Sequence, residues 1–98
     1  MELVFDNKLV NTTGRWYAYK STLYIECKKI GFIDSRWLEE ILPERIPKVK
    51  VAYISNGREV MLMGRQTEDK YEVRFKKSFL KYTNIFLDKT LLKEINIC

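Results

Sequence analysis

The stretch IDSRWLEEIL, residues 33–42, decides how this 98-residue chain is sorted into a fold class. Asp34 is suited to an N-cap, because its carboxylate can accept from the unpaired amides of a first helical turn. Ile33 and Leu38 then stand at the staple positions on either side of that turn. Trp37, Leu38, Ile41 and Leu42 fall on one stripe, with Arg36, Glu39 and Glu40 off it. Pro43 ends the run, since the residue before a proline is pushed out of the helical region. The spacing predicts a helix over 34–42.

Strand-like segments surround it. Upstream, ELVF (2–5) is a short strand, NTTG (11–14) is turn-like, and RWYAYK and LYIECKK flank a turn at Ser21-Thr22. Downstream, KVKVAYISNGREVMLMGR (48–65) reads as a hairpin about Asn56-Gly57, QTED as a loop, and KYEVRFKK as a third alternating strand. Asp88 is placed to cap a second helix over 88–96, with Leu91, Leu92 and Ile95 inward. No internal repeat, linker or low-complexity tract stands out, and the length fits one domain, 1–98. The expected architecture is α+β: an antiparallel-rich sheet, or a small partly closed barrel, of about five to six strands. One central helix and one C-terminal helix complete it.

A two-residue loop at Asn56-Gly57 sets a register with Tyr53 opposite Val60 and Lys48 opposite Arg65. Period two then puts Val49, Val51, Tyr53, Val60 and Leu62 on a core face. The other face carries Lys48, Lys50, Ala52, Ile54, Glu59, Met61, Met63 and Arg65. On the third strand, Tyr71, Val73 and Phe75 go to the core, leaving Lys70, Arg74 and Lys76 beside the cations of the hairpin. The candidate basic and methionine patch is thus Lys48, Lys50, Met61, Met63, Arg65, Lys70, Arg74 and Lys76. The charge is local: residues 45–81 hold ten cations and four acids, within a chain of net +5.

The earlier hairpin gives a second candidate face. With Tyr19 opposite Tyr24 and Trp16 opposite Cys27, the residues Trp16, Ala18, Leu23, Ile25 and Cys27 share an apolar side. Arg15, Tyr17, Tyr19, Tyr24 and Lys28 share the other, together with Glu26. Tyrosines interleaved with cations can stack bases, at about 1–3 kcal/mol each, and tyrosine also favours protein interfaces. Packing under another layer is the plainer reading of those rings, and edge protection the plainer reading of the cations.

Catalytic equipment is not visible. The chain has no histidine, two cysteines far apart at 27 and 98, and four scattered glycines. That excludes histidine-based triads, cysteine-rich zinc sites and phosphate-binding glycine loops. No cofactor and no enzymatic activity are expected. The N-terminus lacks the features of a signal peptide and no apolar run can span a bilayer, so a reducing, intracellular setting with free thiols and no membrane partner is expected.

Two binding readings remain. The first is a non-catalytic module acting stoichiometrically on a protein or nucleoprotein partner, as an adaptor or inhibitor. Small viral accessory proteins, inhibitors of host nucleases among them, share this profile. Adaptable methionines and snorkelling lysines suit such an interface, or one with a second copy of the chain as a homodimer. The alternative is direct nucleic-acid binding through the basic sheet face and the tyrosine cluster.

Overall fold

A computed structural model of the chain describes residues 1–43, 51–54 and 56–94. It is all-β: two five-stranded antiparallel sheets, one a half-barrel, with no α-helix among the described residues. The chain divides into two compact units, Met1–Ile41 and Leu42–Cys98.

The first unit holds β1 (Glu2–Phe5), β2 (Lys8–Tyr19), β3 (Thr22–Cys27), β4 (Gly31–Asp34) and β5 (Leu38–Glu40), in the order β4-β3-β2-β1-β5. Two-residue turns made entirely of left-handed residues join the early strands. Asp6-Asn7 (φ 50° and 64°) link β1 to β2, and Lys20-Ser21 (φ 48° and 63°) link β2 to β3. This is the geometry whose twist matches paired strands. Leu3, Val10, Cys27 and Ile33 form the buried cluster, with Phe5 and Leu38 against it. Each such side chain contributes roughly 1.5–3 kcal/mol when fully buried.

The central helix expected over 34–42 is therefore corrected to a single 3-10 turn, Ser35–Trp37, followed by β5. The cap itself is present: Asp34 Oδ1 accepts from the Arg36 backbone N–H at 2.9 Å. It closes one turn and no more, because Leu38 is already extended (φ −101°, ψ 136°). From Leu38 onward the backbone pairs with β1, Leu38 opposite Phe5 and Glu40 opposite Leu3. A nascent helix gains little from its first turn, whereas pairing satisfies the backbone at once and sets Leu38 on the cluster. The C-terminal helix fails for the same reason. Asp88 precedes a 3-10 turn, Lys89–Leu91, and Leu92 is extended (φ −98°, ψ 132°) into a strand. The last residues of that expected helix, from Ile95, lie outside the described residues.

The second unit holds β6 (Val51–Ile54), β7 (Glu59–Gln66), β8 (Lys70–Ser78), β9 (Lys81–Asp88) and β10 (Leu92–Glu94), in the order β10-β6-β7-β8-β9. The expected register at Asn56-Gly57 is off by one. Ala52 pairs with Val60 and Tyr53 with Glu59, since three residues, not two, separate Ile54 from its partner Arg58. A one-residue slip exchanges the faces of a strand. Ala52 and Ile54 therefore join Val60, Leu62 and Val73 in the core, while Val51 and Tyr53 move to the other side.

The two units repeat one architecture. In each, the fifth strand follows a 3-10 turn and pairs with the first. In each, a glycine of positive φ interrupts the second strand at a register shift: Gly14 (91°) between Thr12 and Trp16, Gly64 (98°) between Leu62 and Gln66. The pairings make Leu3, Val10, Cys27 and Ile33 the counterparts of Ala52, Val60, Val73 and Leu87. Sequence echoes sit on those positions, VNTTGRW against VMLMGRQ and FIDSRWLEE against FLDKTLLKE. Each unit lengthens a different hairpin, β2–β3 in the first and β8–β9 in the second.

Candidate functional site

The long hairpin of the first unit is the richest aromatic surface among the described residues. Past Gly14, β2 outruns β1, and every residue from Thr13 to Tyr19 is exposed. Tyr17 lies opposite Tyr24, and Tyr24 opposite Asp34 on β4. The Tyr17 and Tyr24 rings stack at 4.9 Å and 15°, and Phe32 meets Tyr17 edge-on at 4.9 Å. Such ring pairs add about 0.5–1.5 kcal/mol each beyond their burial. They preorganise a three-ring patch. Tyr19 extends it, 59% exposed, with Lys20 Nζ 5.4 Å from its ring centre.

Cations flank this patch but are balanced by acids. Arg15 is 3.9 Å from Glu26, whose other oxygen accepts from the Thr13 hydroxyl at 2.7 Å. Arg36 grips Asp34 through Nε and Nη2, the shortest contact being 2.7 Å. Those side-chain bonds, and the Arg36 backbone N–H, hold the Asp34 carboxyl below its ordinary range and push the Arg36 guanidinium up. Residues 1–41 contain six cations and six acids, so the net +5 lies entirely in residues 42–98.

The sequence-derived tyrosine face is mostly assembled. Tyr17, Tyr19 and Tyr24 share a side with Arg15, although Tyr24 faces Tyr17 where Tyr19 was expected. Lys28 is separated from them. It lies in the β3–β4 turn and lines a groove of about 500 Å³ with Phe5, Lys8, Val10 and Lys29. Phe32 was not foreseen as a member, because its contact with Tyr17 depends on β4 pairing beside β3.

The opposite side of the same hairpin carries a second feature. Met1, Leu3, Thr12, Gly14, Arg15, Trp16, Leu23 and Ile25 surround a mainly apolar pocket of about 300 Å³. Trp16, 65% exposed, stands at its rim across from Ile25.

The basic and methionine patch is spread out. Lys48 and Lys50 lie outside the described residues. Met61 is exposed and pairs with Arg74, whose Nε donates to Asn84 Oδ1 at 2.9 Å. Met63 is half-buried and Arg65 exposed, both beside the Gly64 kink. Lys70 is half-buried opposite Asp88. Lys76 reaches back over the Phe79 ring at 5.4 Å.

That last contact leads to a surface that alternation along one strand does not reveal, the tip of β8–β9. Phe79 is 80% and Leu80 79% exposed, with Lys76, Lys77, Lys81 and Tyr82 around them. Leu80 takes φ 63°, a conformation usually left to glycine or asparagine. The run KKSFLKY carries the signal, but alternation ends with KYEVRFKK and does not show that the chain turns back within SFLKY; the β8–β9 pairing does.

Arg58 lies over the Phe75 ring at 4.7 Å, and Lys89 over Tyr71 at 4.6 Å. These cations brace the second unit's aromatic side chains. Among the described residues, no three His, Cys, Asp or Glu side chains come together as a metal site.

No protein-family model matches this chain, and neither a curated protein nor a solved structure matches it.

Proposed function

We propose that the protein is a non-catalytic binding module that acts stoichiometrically on a protein or nucleoprotein partner, as an adaptor or inhibitor. The supporting observation is the Tyr17–Tyr24–Phe32 patch, preorganised by ring contacts on a unit of balanced charge. Aromatic anchors on a polar but neutral surface suit a protein partner better than a polyanion. The flanking arginines already hold carboxylates, and a phosphate would have to displace them.

The test is a capture experiment with immobilised wild type and the variants Tyr17→Ala and Tyr19→Ala, the fold of each checked by circular dichroism. A specific partner should be lost by about tenfold or more in the variants. Undiminished capture by both removes the patch from consideration.

Direct nucleic-acid binding is favoured by one observation of its own, the exposed Phe79 and Tyr82 among Lys76, Lys77 and Lys81. Rings and cations share that tip, as single-strand binding requires. Titration with labelled single- and double-stranded oligonucleotides at two salt concentrations separates the readings. Phosphate contacts would make binding fall steeply with salt, and no binding at low salt excludes this second reading.

A further inference from the structure

In the second unit the lengthened hairpin is β8–β9, and it ends in a turn of unusual composition. The Ser78–Lys81 pair closes that turn, so Phe79 and Leu80 are its two central residues. The long hairpin of the first unit turns instead at Lys20-Ser21, two polar residues at φ 48° and 63°. Such turns favour glycine, asparagine and aspartate, which tolerate positive φ. Leu80 holds φ 63° with an aliphatic side chain and stands 79% exposed, beside Phe79 at 80%. Folding gains from neither, because the backbone is strained and the apolar area stays in water.

A collar of cations stands directly behind this apex. Lys77 is the extra residue at the register shift between Lys76 and Ser78, Lys81 faces Ser78, and Tyr82 faces Lys76. All four side chains, Lys76, Lys77, Lys81 and Tyr82, are exposed, and Lys76 Nζ lies 5.4 Å from the Phe79 ring centre. From Val73 to Leu87 the chain holds four cations and no acid. Among the described residues, no carboxylate is paired with Lys76, Lys77 or Lys81. Below the collar, the Arg58 side chain donates to the Lys76 carbonyl and lies over Phe75 at 4.7 Å, which braces the stem. The chain enters β6 at Val51 and leaves β10 at Glu94, both at the ends of those strands away from this tip.

We infer that the β8–β9 tip inserts into the surface of an anionic lipid bilayer. Phe79 and Leu80 enter the acyl boundary while Lys76, Lys77 and Lys81 meet the headgroups. At about 3.3 Å per strand residue, a collar one or two residues behind the apex fits the roughly 5–10 Å that interfacial elements sink. Lysine stems then lie along the apolar layer with their ammonium groups in the wet one, where the Tyr82 hydroxyl also belongs. The unpaired cations select an anionic surface. Size selects lipid over protein, since two apolar side chains fall far short of the about 800 Å² that each side of a stable protein interface buries. Leu80 selects lipid over nucleic acid: it has no ring face for a base, and Lys76 already lies over Phe79. The expectation of no membrane partner rests on the want of a spanning run, and a surface contact needs none. The assignment goes beyond the protein-binding reading of the first unit and uses none of its residues.

Co-sedimentation of the full chain with vesicles tests it. Vesicles of phosphatidylcholine with about 30 mol % phosphatidylserine should bind the protein at least about tenfold more tightly than phosphatidylcholine alone, and salt should weaken that binding. Leu80→Gly relieves the positive φ, so it should hold or raise Tm while weakening vesicle binding about tenfold. A role confined to folding predicts no such loss. Phe79→Ser should weaken binding to a similar extent. Lys77→Gln and Lys81→Gln should each cost about fivefold, whereas the same change at the exposed Lys8 of the first unit should cost no more than about twofold.

Undiminished binding by Leu80→Gly and Phe79→Ser overturns insertion. Equal losses at Lys8, Lys77 and Lys81 would reduce the contact to net charge and overturn the assignment to the tip. Absence of binding to the anionic vesicles at low salt overturns it outright. Labelled single strands bound in place of vesicles, with binding lost in Phe79→Ser and kept in Leu80→Gly, would give the tip to nucleic acid. None of these outcomes touches the Tyr17–Tyr24–Phe32 patch, whose capture experiment is decided separately.

Discussion

Asp34 shows how much one side chain can say and how little it can fix. Its carboxylate accepts from both the backbone and the side chain of Arg36, which holds its folded-state pKa below the ordinary value. A lowered carboxylate pKa contributes stability that is complete above the unfolded value and is lost as pH falls through the folded one. Asp34→Asn should therefore destabilise the protein near neutrality, and the difference from wild type should shrink from about pH 5 downward. Urea midpoints at several pH values measure this; a difference independent of pH would mean that the ion pair is not its source. The pair is exposed, so the effect is small. At this scale the sequence was legible: Asp34 was identified as a cap, and it caps. The length of what followed was not, because a 3-10 turn and the first turn of an α-helix ask for the same residue.

Strands were legible wherever alternation alone decides them. Tyr71, Val73 and Phe75 point to the core from β8, as their period implies. The faces of β2 and β3 also came out right, although the turn lies at Lys20-Ser21 and not one residue later. Moving the turn shifts the pairing by one residue on each strand, and parity survives. At β6–β7 the loop holds one residue more than the Asn-Gly signal implies, so parity does not survive. Ala52, expected on the surface, has no exposed area. Sequence alone cannot separate these cases, since a two-residue and a three-residue loop accept the same glycine. The equivalence of β3 and β8 carries its own prediction. Cys27 (1% exposed) and Val73 (fully buried) hold the same place in their clusters. Cys27→Val, which adds one methyl group to a buried place where the second unit holds valine, should cost no more than about 1–3 kcal/mol. Val73→Ala, which opens a cavity, should cost about 2 kcal/mol. Thermal or urea denaturation decides it; a Cys27→Val variant that fails to fold would break the equivalence. The Cys27 thiol should also resist modification in the native state, because burial pushes its pKa up.

Across the whole chain, the repeat escaped the sequence because it has no fixed period. Val10 matches Val60, Cys27 matches Val73 and Asp34 matches Asp88, so the separation changes with each lengthened hairpin. Identical residues are few outside the kink and the capped turn. What survives is register, which only pairing reveals. The candidate sites follow the same rule: the tyrosines were found by alternation within one hairpin, whereas Phe32, the pocket and the β8–β9 tip needed neighbours from other strands.

The order of strands also fixes the order of events as the chain folds. In the first unit β1, β2 and β3 each pair with the next strand in sequence, across short turns. Only the β1–β5 contact joins the ends, Leu3 with Glu40. Closing that span costs more chain entropy than any hairpin, so it is the last pairing to become favourable. A side chain serving it should act after the rate-limiting barrier. Leu38→Ala is expected to speed unfolding roughly ten- to thirtyfold while leaving the folding rate nearly unchanged. Stopped-flow tryptophan fluorescence can read this in isolation, because Trp16 and Trp37, the two tryptophans of the chain, both lie in the first unit. Slower folding instead would place β5 in the nucleus, with the last strand closing first.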